Sequence, residues 1–467
     1  VIISNAFQGK AFYVVGWGRT GLSAAQSLKN SGARVFVWDD NATSQKTAQS
    51  QGFDVVSPQD VDWSKLSALV LSPGIPHTFP KPHLSAQLAQ ENHVPILCDV
   101  DLLAQALPQA QMVGITGTNG KSTTTALMSH LLKGAGLQVQ MGGNIGVPVL
   151  DLEDQPGATY VLELSSYQLE RTPHLTLDTA VLLNITPDHI DRHGDLAGYV
   201  QAKRHIFQPQ GSAQDIVIGV DTPESEAIFK GLSQDTVKRV VPMSTVRSLD
   251  KGVYIQDGFL VDGYFEDHAR IYDLRQHPYL KGQHNWENIL AAYGVVKLKG
   301  LTFDVSVLEA FQGLVHRQEL CGIQDNVHFI NDSKATNIES TLRALAAYEN
   351  IYLILGGQPK ESLLQGIETY TPHIQKCYLI GEAQDQFAKS LDVAKIPFIK
   401  CGDLKTATQK AYEDAVSPGN ERRIVMLSPA CASFDQFKDF EDRGNQFKMH
   451  VEDIIKTKNK TFEKAHG

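Results

Sequence analysis

Short apolar runs that break into glycine and then into a helical pattern recur along the chain, and they set its expected architecture. AFYVV at residues 11–15 leads into GWGRTG and then LSAAQSLKNSG, an order that predicts strand, turn and helix. RVFVWDD supplies the next strand, ending at Asp39 and Asp40, and closes a βαβ unit. ALVLS follows and stops at SPGIP, where proline and glycine force a loop. The pattern restarts at Met112, where MVGIT runs into GTNGKSTTT and the helix-like ALMSHLLKGAG. YVLELSS and TAVLLNI are apolar and end in polar residues, as buried strands with chemistry at their carboxyl edge would.

HNWENILAAYGVVKLKG reads as a helix, and LEAFQGLVHRQE as a helix running into a connection. HFINDS, IYLILGG, CYLIG and RIVMLSP then give four strand candidates separated by helical patterns. The chain is therefore expected to be α/β with three domains: a Rossmann-like domain at 1–100, a central P-loop mononucleotide-binding domain at 101–314, and a Rossmann-like C-terminal domain at 315–467. Its 467 residues exceed what one hydrophobic core usually serves.

Composition narrows the function. A formal net charge of -10 opposes a general polyanion-binding surface, so no nucleic-acid partner is expected and any anionic ligand must meet local donors. Cys98, Cys321, Cys377, Cys401 and Cys431 are scattered and lack CxxC spacing, which fits a reduced, cytoplasmic compartment. No apolar run reaches the roughly 18 residues of a membrane span, and VIISNAFQGK lacks the look of a signal peptide. The polar tail from Lys456 to Gly467 is expected to fray.

The strongest chemical signal is Gly114-Ile-Thr-Gly117-Thr118-Asn119-Gly120-Lys121-Ser122-Thr123, between an apolar strand and a helix. Small residues let backbone N–H groups close around phosphate oxygens, Lys121 adds a point charge, and Ser122 can reach a phosphate-bound Mg²⁺. Ile115 stands where the usual first glycine would fall. Glu163, at the end of YVLELSS, could complete a Mg²⁺ shell, or be a solvated strand-end acid. Asn285 and Asn288 lie three apart on one helix face, where their amides could pair with an adenine edge. Arg317 could neutralise transferring phosphate or make an interdomain salt bridge. GWGRTG with Asp39 is a GxGxxG fingerprint that by motif logic suggests NAD, although such a helix N-terminus can bind any pyrophosphate.

GTNGKS resembles the P-loop variant of the Mur ligases and their folylpolyglutamate synthase relatives, and further segments extend the likeness in order from about residue 11 to 450. NITPDHIDRHG resembles the NxxxDHxDxH segment of that family, which implies His189 as a ligand of a second Mg²⁺. YVQAK resembles YxxAK, whose lysine is carbamylated, which implies a metal-binding carbamate on Lys203. LKGQHNWEN is similar to GxHNxxN. NDSKATN, LGGQPK and SPACASFDQF resemble the D-glutamate-adding branch. They imply Lys334, Thr336, Lys360, Ser433 and Phe434 at D-glutamate and Asp332 near the nucleotide; Gln358 and Pro359 depart from the pattern expected beside Lys360.

In the Mur ligases the first domain binds UDP, which turns Gly18, Thr20, Asp39, Ser72 and Gly74 into uridine or ribose contacts and Asn144 into a muramoyl contact. The implied catalytic and metal set is Lys121, Ser122, Glu163, His189 and Lys203. The resemblance implies an ATP- and Mg²⁺-dependent monomer that joins D-glutamate to UDP-N-acetylmuramoyl-L-alanine through an acyl phosphate. A folylpolyglutamate-synthase-like ligase and an NAD-dependent oxidoreductase stand as alternatives.

Overall fold

The computed structural model describes residues 1–280, 282–359, 364–416 and 421–466, the side chains of 283–284 and 459–466 excepted. The chain divides into two compact units, Val1–His277 with Gln283–Phe311, and Pro278–Gly282 with Gln312–Gly467. Among the described residues there are three sheets of five, nine and six mostly parallel strands, so the α/β expectation holds.

In the first unit the five-stranded sheet runs, in spatial order, Asp54–Val55, Arg34–Trp38, Ala11–Val15, Ala68–Leu71 and Ile96–Leu97, all parallel. The chain reverses its winding between Ala11–Val15 and Ala68–Leu71, so the GWGRTG and SPGIP loops meet at one carboxyl edge, the crevice where open α/β sheets bind ligands. Ser72 ties the two by donating from Oγ to the Gly16 carbonyl at 3.0 Å.

In the nine-stranded sheet Gln111–Thr116 lies third from one edge, flanked by Thr159–Glu163 and Thr179–Leu182. Every residue of both flanking strands is buried, as parallel strands covered on two faces should be. The two sheets share one hydrophobic cluster that runs from Phe12, Val14 and Leu28 through Leu150 to Leu162 and Ile216. Ile2 N–H donating to the Leu150 carbonyl at 2.7 Å and Ser23 Oγ to Asp151 at 2.8 Å add polar links.

The second unit winds Val327–Asn331, Arg423–Leu427, Ile351–Gly356, Ile374–Ile380 and Phe398–Gly402 in parallel, with Glu319–Gln324 antiparallel at one edge. All four strands expected there are present. Three elements differ from expectation. LEAFQGLVHRQE is helical only in its first three residues, which end the helix Val305–Ala310. The helix Phe440–His466 carries through the polar tail instead of fraying. Val253–Gln256 joins the central sheet parallel to Lys238–Ser244, and Phe259–Asp262 and Ala269–Asp273 then extend it antiparallel, through a turn whose Asp257 and Gly258 both have positive φ, as the Asp-Gly hairpin turn requires.

Gly21 shows how tightly the first turn is built, because a Cβ there would stand 1.8 Å from the Gly16 carbonyl oxygen. Gly21→Ala should therefore cost about 1–3 kcal/mol of stability, the usual price of overpacking. A denaturation midpoint equal to that of the unaltered chain would show that the turn yields freely.

Candidate active site

The GTNGKS turn connects Gln111–Thr116 to the helix Lys121–Gly134. Gly120 caps that helix at φ +83, and a Cβ on it would approach Asn288 Oδ1 to 2.4 Å, so only glycine fits. Ile115 is a fully buried strand residue, so the glycine missing there is replaced by core packing. Asn184 spans the turn: its Oδ1 accepts from Asn119 N–H at 2.9 Å, and its Nδ2 donates to the Asn119 carbonyl at 3.3 Å and to Glu287 at 2.6 Å. Ser122 and Thr123 lie in the first helical turn.

Two lysines meet at one oxygen. Lys121 Nζ donates to the Gly117 and Thr118 carbonyls at 2.8 Å each, and Lys203 Nζ donates to the same Gly117 carbonyl at 2.8 Å. Lys203 comes from the helix Leu196–Arg204, is 1 % exposed, and lies 4.6 Å from the Tyr199 ring. Burial and then the Lys121 charge hold its amine well below the ordinary lysine value, against a weaker pull from Asp188.

Glu163 faces the same edge. One carboxylate oxygen accepts from Asn144 Nδ2 at 2.9 Å; the other is buried with no hydrogen-bond partner. A buried carboxylate oxygen left in that state is what a cation site needs, and Ser122 and Glu163 together present hard oxygen donors suited to Mg²⁺. Asn144, expected at the muramoyl substrate, is thus joined to the acid expected at the metal.

His189 has a left-handed backbone at φ +52, is half exposed, and stands beside Tyr167 with ring centroids 5.2 Å apart. Burial lowers its pKa, against the pull of Asp188. His193, four residues on, is buried between Glu170 and Ser166, at 3.0 and 2.9 Å.

Asn288 lies elsewhere than at an open base edge. It is buried, accepts from Thr124 Oγ1 at 3.0 Å and donates to Asn285 Oδ1 at 3.2 Å, so it braces the P-loop helix and leaves the half-buried Asn285 as the outer amide of the pair.

At the first sheet, Gly18 caps the helix Arg19–Asn30 without a side chain and Thr20 lies in its first turn. Asp39 accepts from the Trp17 and Asn41 N–H groups at 2.6 and 2.8 Å, which orders the GWGRTG turn. Gly74 and its neighbours in SPGIP receive arginines from the central segment. Arg171, 1 % exposed, donates to the carbonyls of Leu71, Ser72, Pro73 and Ile75 at 3.0–3.4 Å, and Arg192 donates to the Gly74 carbonyl at 2.9 Å. Neither arginine carries a motif signal, and sequence reasoning missed both.

Within the second unit, Asp332 accepts from Ser428 Oγ at 2.7 Å and from Gln318 N–H at 3.2 Å, and burial pushes its carboxyl up to about 7, the Arg317 charge opposing. Lys334 lies 3.9 Å over the Phe440 ring, and the Thr336 N–H donates to the Lys334 carbonyl. Ser433 is buried and Phe434 is exposed beside it. Arg443, also missed, joins the two loops by donating to Ser333 and to the carbonyls of Cys431 and Ala432. Lys360 lies outside the described residues.

Phosphate capture by a glycine-closed turn between a strand and a helix defines the P-loop α/β proteins, and the central sheet places this chain among them. The Mur ligase middle domain matches residues 115–296, and the NADPH-binding domain of acetohydroxy acid isomeroreductase is similar to residues 6–94. UDP-N-acetylmuramoylalanine–D-glutamate ligase of Caulobacter sp. (strain K31) is 44% identical over 97% of this chain and 98% of its own length. The protein of the same name from Rhodospirillum rubrum is 43% identical over 97% and 96%. Among solved structures, UDP-N-acetylmuramate–alanine ligase from Thermotoga maritima superposes with TM-score 0.59 at 16% identity, covering 95% of this chain and 99% of its own. MurF ligase from Thermotoga maritima in complex with ADP gives 0.52 at 15%, covering 97% and 96%. The chain belongs to the Mur ligase family, on the branch named for UDP-N-acetylmuramoylalanine–D-glutamate ligase. With relatives of that name matching almost end to end, the oxidoreductase and folylpolyglutamate-synthase alternatives fall away.

Burial pushes the Glu287 carboxyl up to about 7 from 4.5, the Asn184 hydrogen bond opposing. Since the folded chain holds this proton more tightly, the stability it contributes is full below the ordinary Glu range and is lost as pH rises towards 7. Glu287→Gln should therefore gain on the unaltered chain in urea midpoint between pH 5 and pH 8. Parallel curves would show an ordinary carboxyl.

Proposed function

We propose that this chain is a cytoplasmic, ATP-dependent ligase that adds D-glutamate to UDP-N-acetylmuramoyl-L-alanine, yielding the UDP-linked dipeptide, ADP and phosphate. Residues 1–100 would carry the UDP site, 101–314 the ATP site and 315–467 the D-glutamate site. The observation that carries this reading is the meeting of Lys121, Lys203 and the half-satisfied Glu163 around one P-loop.

A carboxylate does not condense with an amine unaided, because its oxygen is a poor leaving group. The γ-phosphoryl passes to a carboxylate oxygen of the alanyl substrate and ADP departs. The deprotonated amine of D-glutamate then attacks the acyl carbon, and phosphate leaves with the transferred oxygen. Lys121 would release its loop carbonyls to meet the phosphoryl oxygens, since positioning and charge supply most of the catalysis in such transfers. Backbone N–H groups of Gly117, Gly120, Ser122 and Thr123 would cradle the phosphates, Thr118 and Asn119 would shape that cradle through their N–H bonds to Asn184, Asn285 would meet adenine, and Arg317 and Asp332 would flank the nucleotide.

Ser122, Glu163, His189 and a carbamate on Lys203 would hold Mg²⁺, which supplies charge to the phosphoryl oxygens. A neutral, buried amine is the form of lysine that attacks CO₂, and the depressed basicity of Lys203 supports that modification. Gly18, Thr20, Asp39, Ser72 and Gly74 would bound the UDP site and Asn144 the muramoyl group. Lys334, Thr336, Lys360, Ser433 and Phe434 would bound the D-glutamate site, where cations and hydroxyls suit two carboxylates.

Phosphate release from ATP with UDP-N-acetylmuramoyl-L-alanine should need D-glutamate, with L-glutamate and L-alanine inactive; equal rates with all three would overturn the reading. Lys121→Ala should lose about 10²–10³-fold in kcat. Lys203→Ala should lose activity and recover part of it with small carboxylates, whereas a folded variant that no carboxylate rescues would refute the carbamate.

A further inference from the structure

Apart from Ser72, the SPGIP turn has no polar side chain with which to hold its own shape, and the carbonyls of Leu71, Ser72, Pro73, Gly74 and Ile75 accept from arginines elsewhere in the chain. Arg171 meets four of them. Its Nη1 donates to Leu71 and Ser72 at 3.0 and 3.1 Å, and its Nη2 to Ile75 and Pro73 at 3.0 and 3.4 Å. Its Nε donates to His77 Nδ1 at 3.3 Å. Burial and the Arg171 charge push His77 down to about 4, so near neutral pH the ring is uncharged and able to accept. A planar guanidinium is the one side chain with five donors in a fixed fork, so a lysine could serve only part of this set.

The outer side of the turn is held by a second arginine. Arg192 donates to the Gly74 carbonyl at 2.9 Å while its guanidinium lies 4.4 Å over the Tyr167 ring. Arg192 sits three residues after His189, and Arg171 two residues after Leu169, the end of the short helix that follows Glu163. His193 and His77 both approach Glu170, at 3.0 and 4.0 Å. The segments carrying the acid and histidine of the nucleotide site therefore also hold the far loop in place.

We propose that Arg171, with Arg192 as its outer partner, is a positioning residue that presets the SPGIP turn for the nucleoside diphosphate of the substrate. In this role neither residue need touch substrate. The proposal rests on the UDP-substrate reading above, and its test separates the two.

Calorimetry of the full chain with UDP and, separately, with a non-hydrolysable ATP analogue reads the role directly. Arg171→Met should weaken UDP at least tenfold and the ATP analogue less than twofold, with Arg171→Lys between Met and the unaltered chain. In turnover the same variants should raise KM for the UDP substrate more than they lower kcat. Arg192→Gln alters only the rim and should show the same asymmetry, more weakly, which keeps the idea testable if Arg171→Met does not fold. Equal weakening of both nucleotides, or UDP bound as tightly by a folded Arg171→Met, would overturn the positioning role. UDP that does not bind the unaltered chain would instead overturn the substrate reading itself.

Discussion

Two primary amines sharing one carbonyl oxygen is the constraint on which the nucleotide edge depends. Lys121 and Lys203 both donate to Gly117, and two full positive charges at that separation in a buried place repel strongly. The conflict is relieved at Lys203, the more deeply buried of the two, whose amine is held well below its usual basicity. The helix Leu196–Arg204 contributes an apolar lining through Tyr199 and Ala202, so burial and charge act in the same direction. The loop is then shaped in advance by donors that can turn from its carbonyls to a phosphate, instead of waiting to be ordered.

Around that point the same solution recurs: loops poor in side chains are held by arginines borrowed from elsewhere. Arg171 does so for the turn after Ala68–Leu71, and Arg443 for the pair of loops after Val327–Asn331 and Arg423–Leu427. Ligand loops at the carboxyl edge of a parallel sheet expose many carbonyls, each costly to leave unpaired once buried. A single buried guanidinium satisfies several, and burial lowers both arginines only to about 10, so they stay charged near neutral pH.

The fold was legible in the chain wherever a long apolar run met glycine, as at Val15–Gly16 and Thr116–Gly117. These boundaries are local, written in two or three adjacent residues. The antiparallel strands from Val253 to Asp273 are only four or five residues long, too short for a period to stand out, although Asp257-Gly258 carried the hairpin signal. Asn285 and Asn288 were readable as a helix-face pair, but not which amide turns inward, because that depends on Thr124 and Gly120, more than a hundred and sixty positions away. Arg171 and Arg443 had no local signature at all, since what defines them is a set of distant carbonyls.

Glu163 carries a consequence for ion choice. One of its oxygens accepts from Asn144 and the other has no hydrogen-bond partner, so the second is the one readily offered to a cation at the proposed site. Larger Ca²⁺ often takes both oxygens of an acid, whereas compact octahedral Mg²⁺ is content with one. At the proposed metal site the amide of Asn144 would thereby favour the smaller ion, by leaving a single carboxylate atom for it.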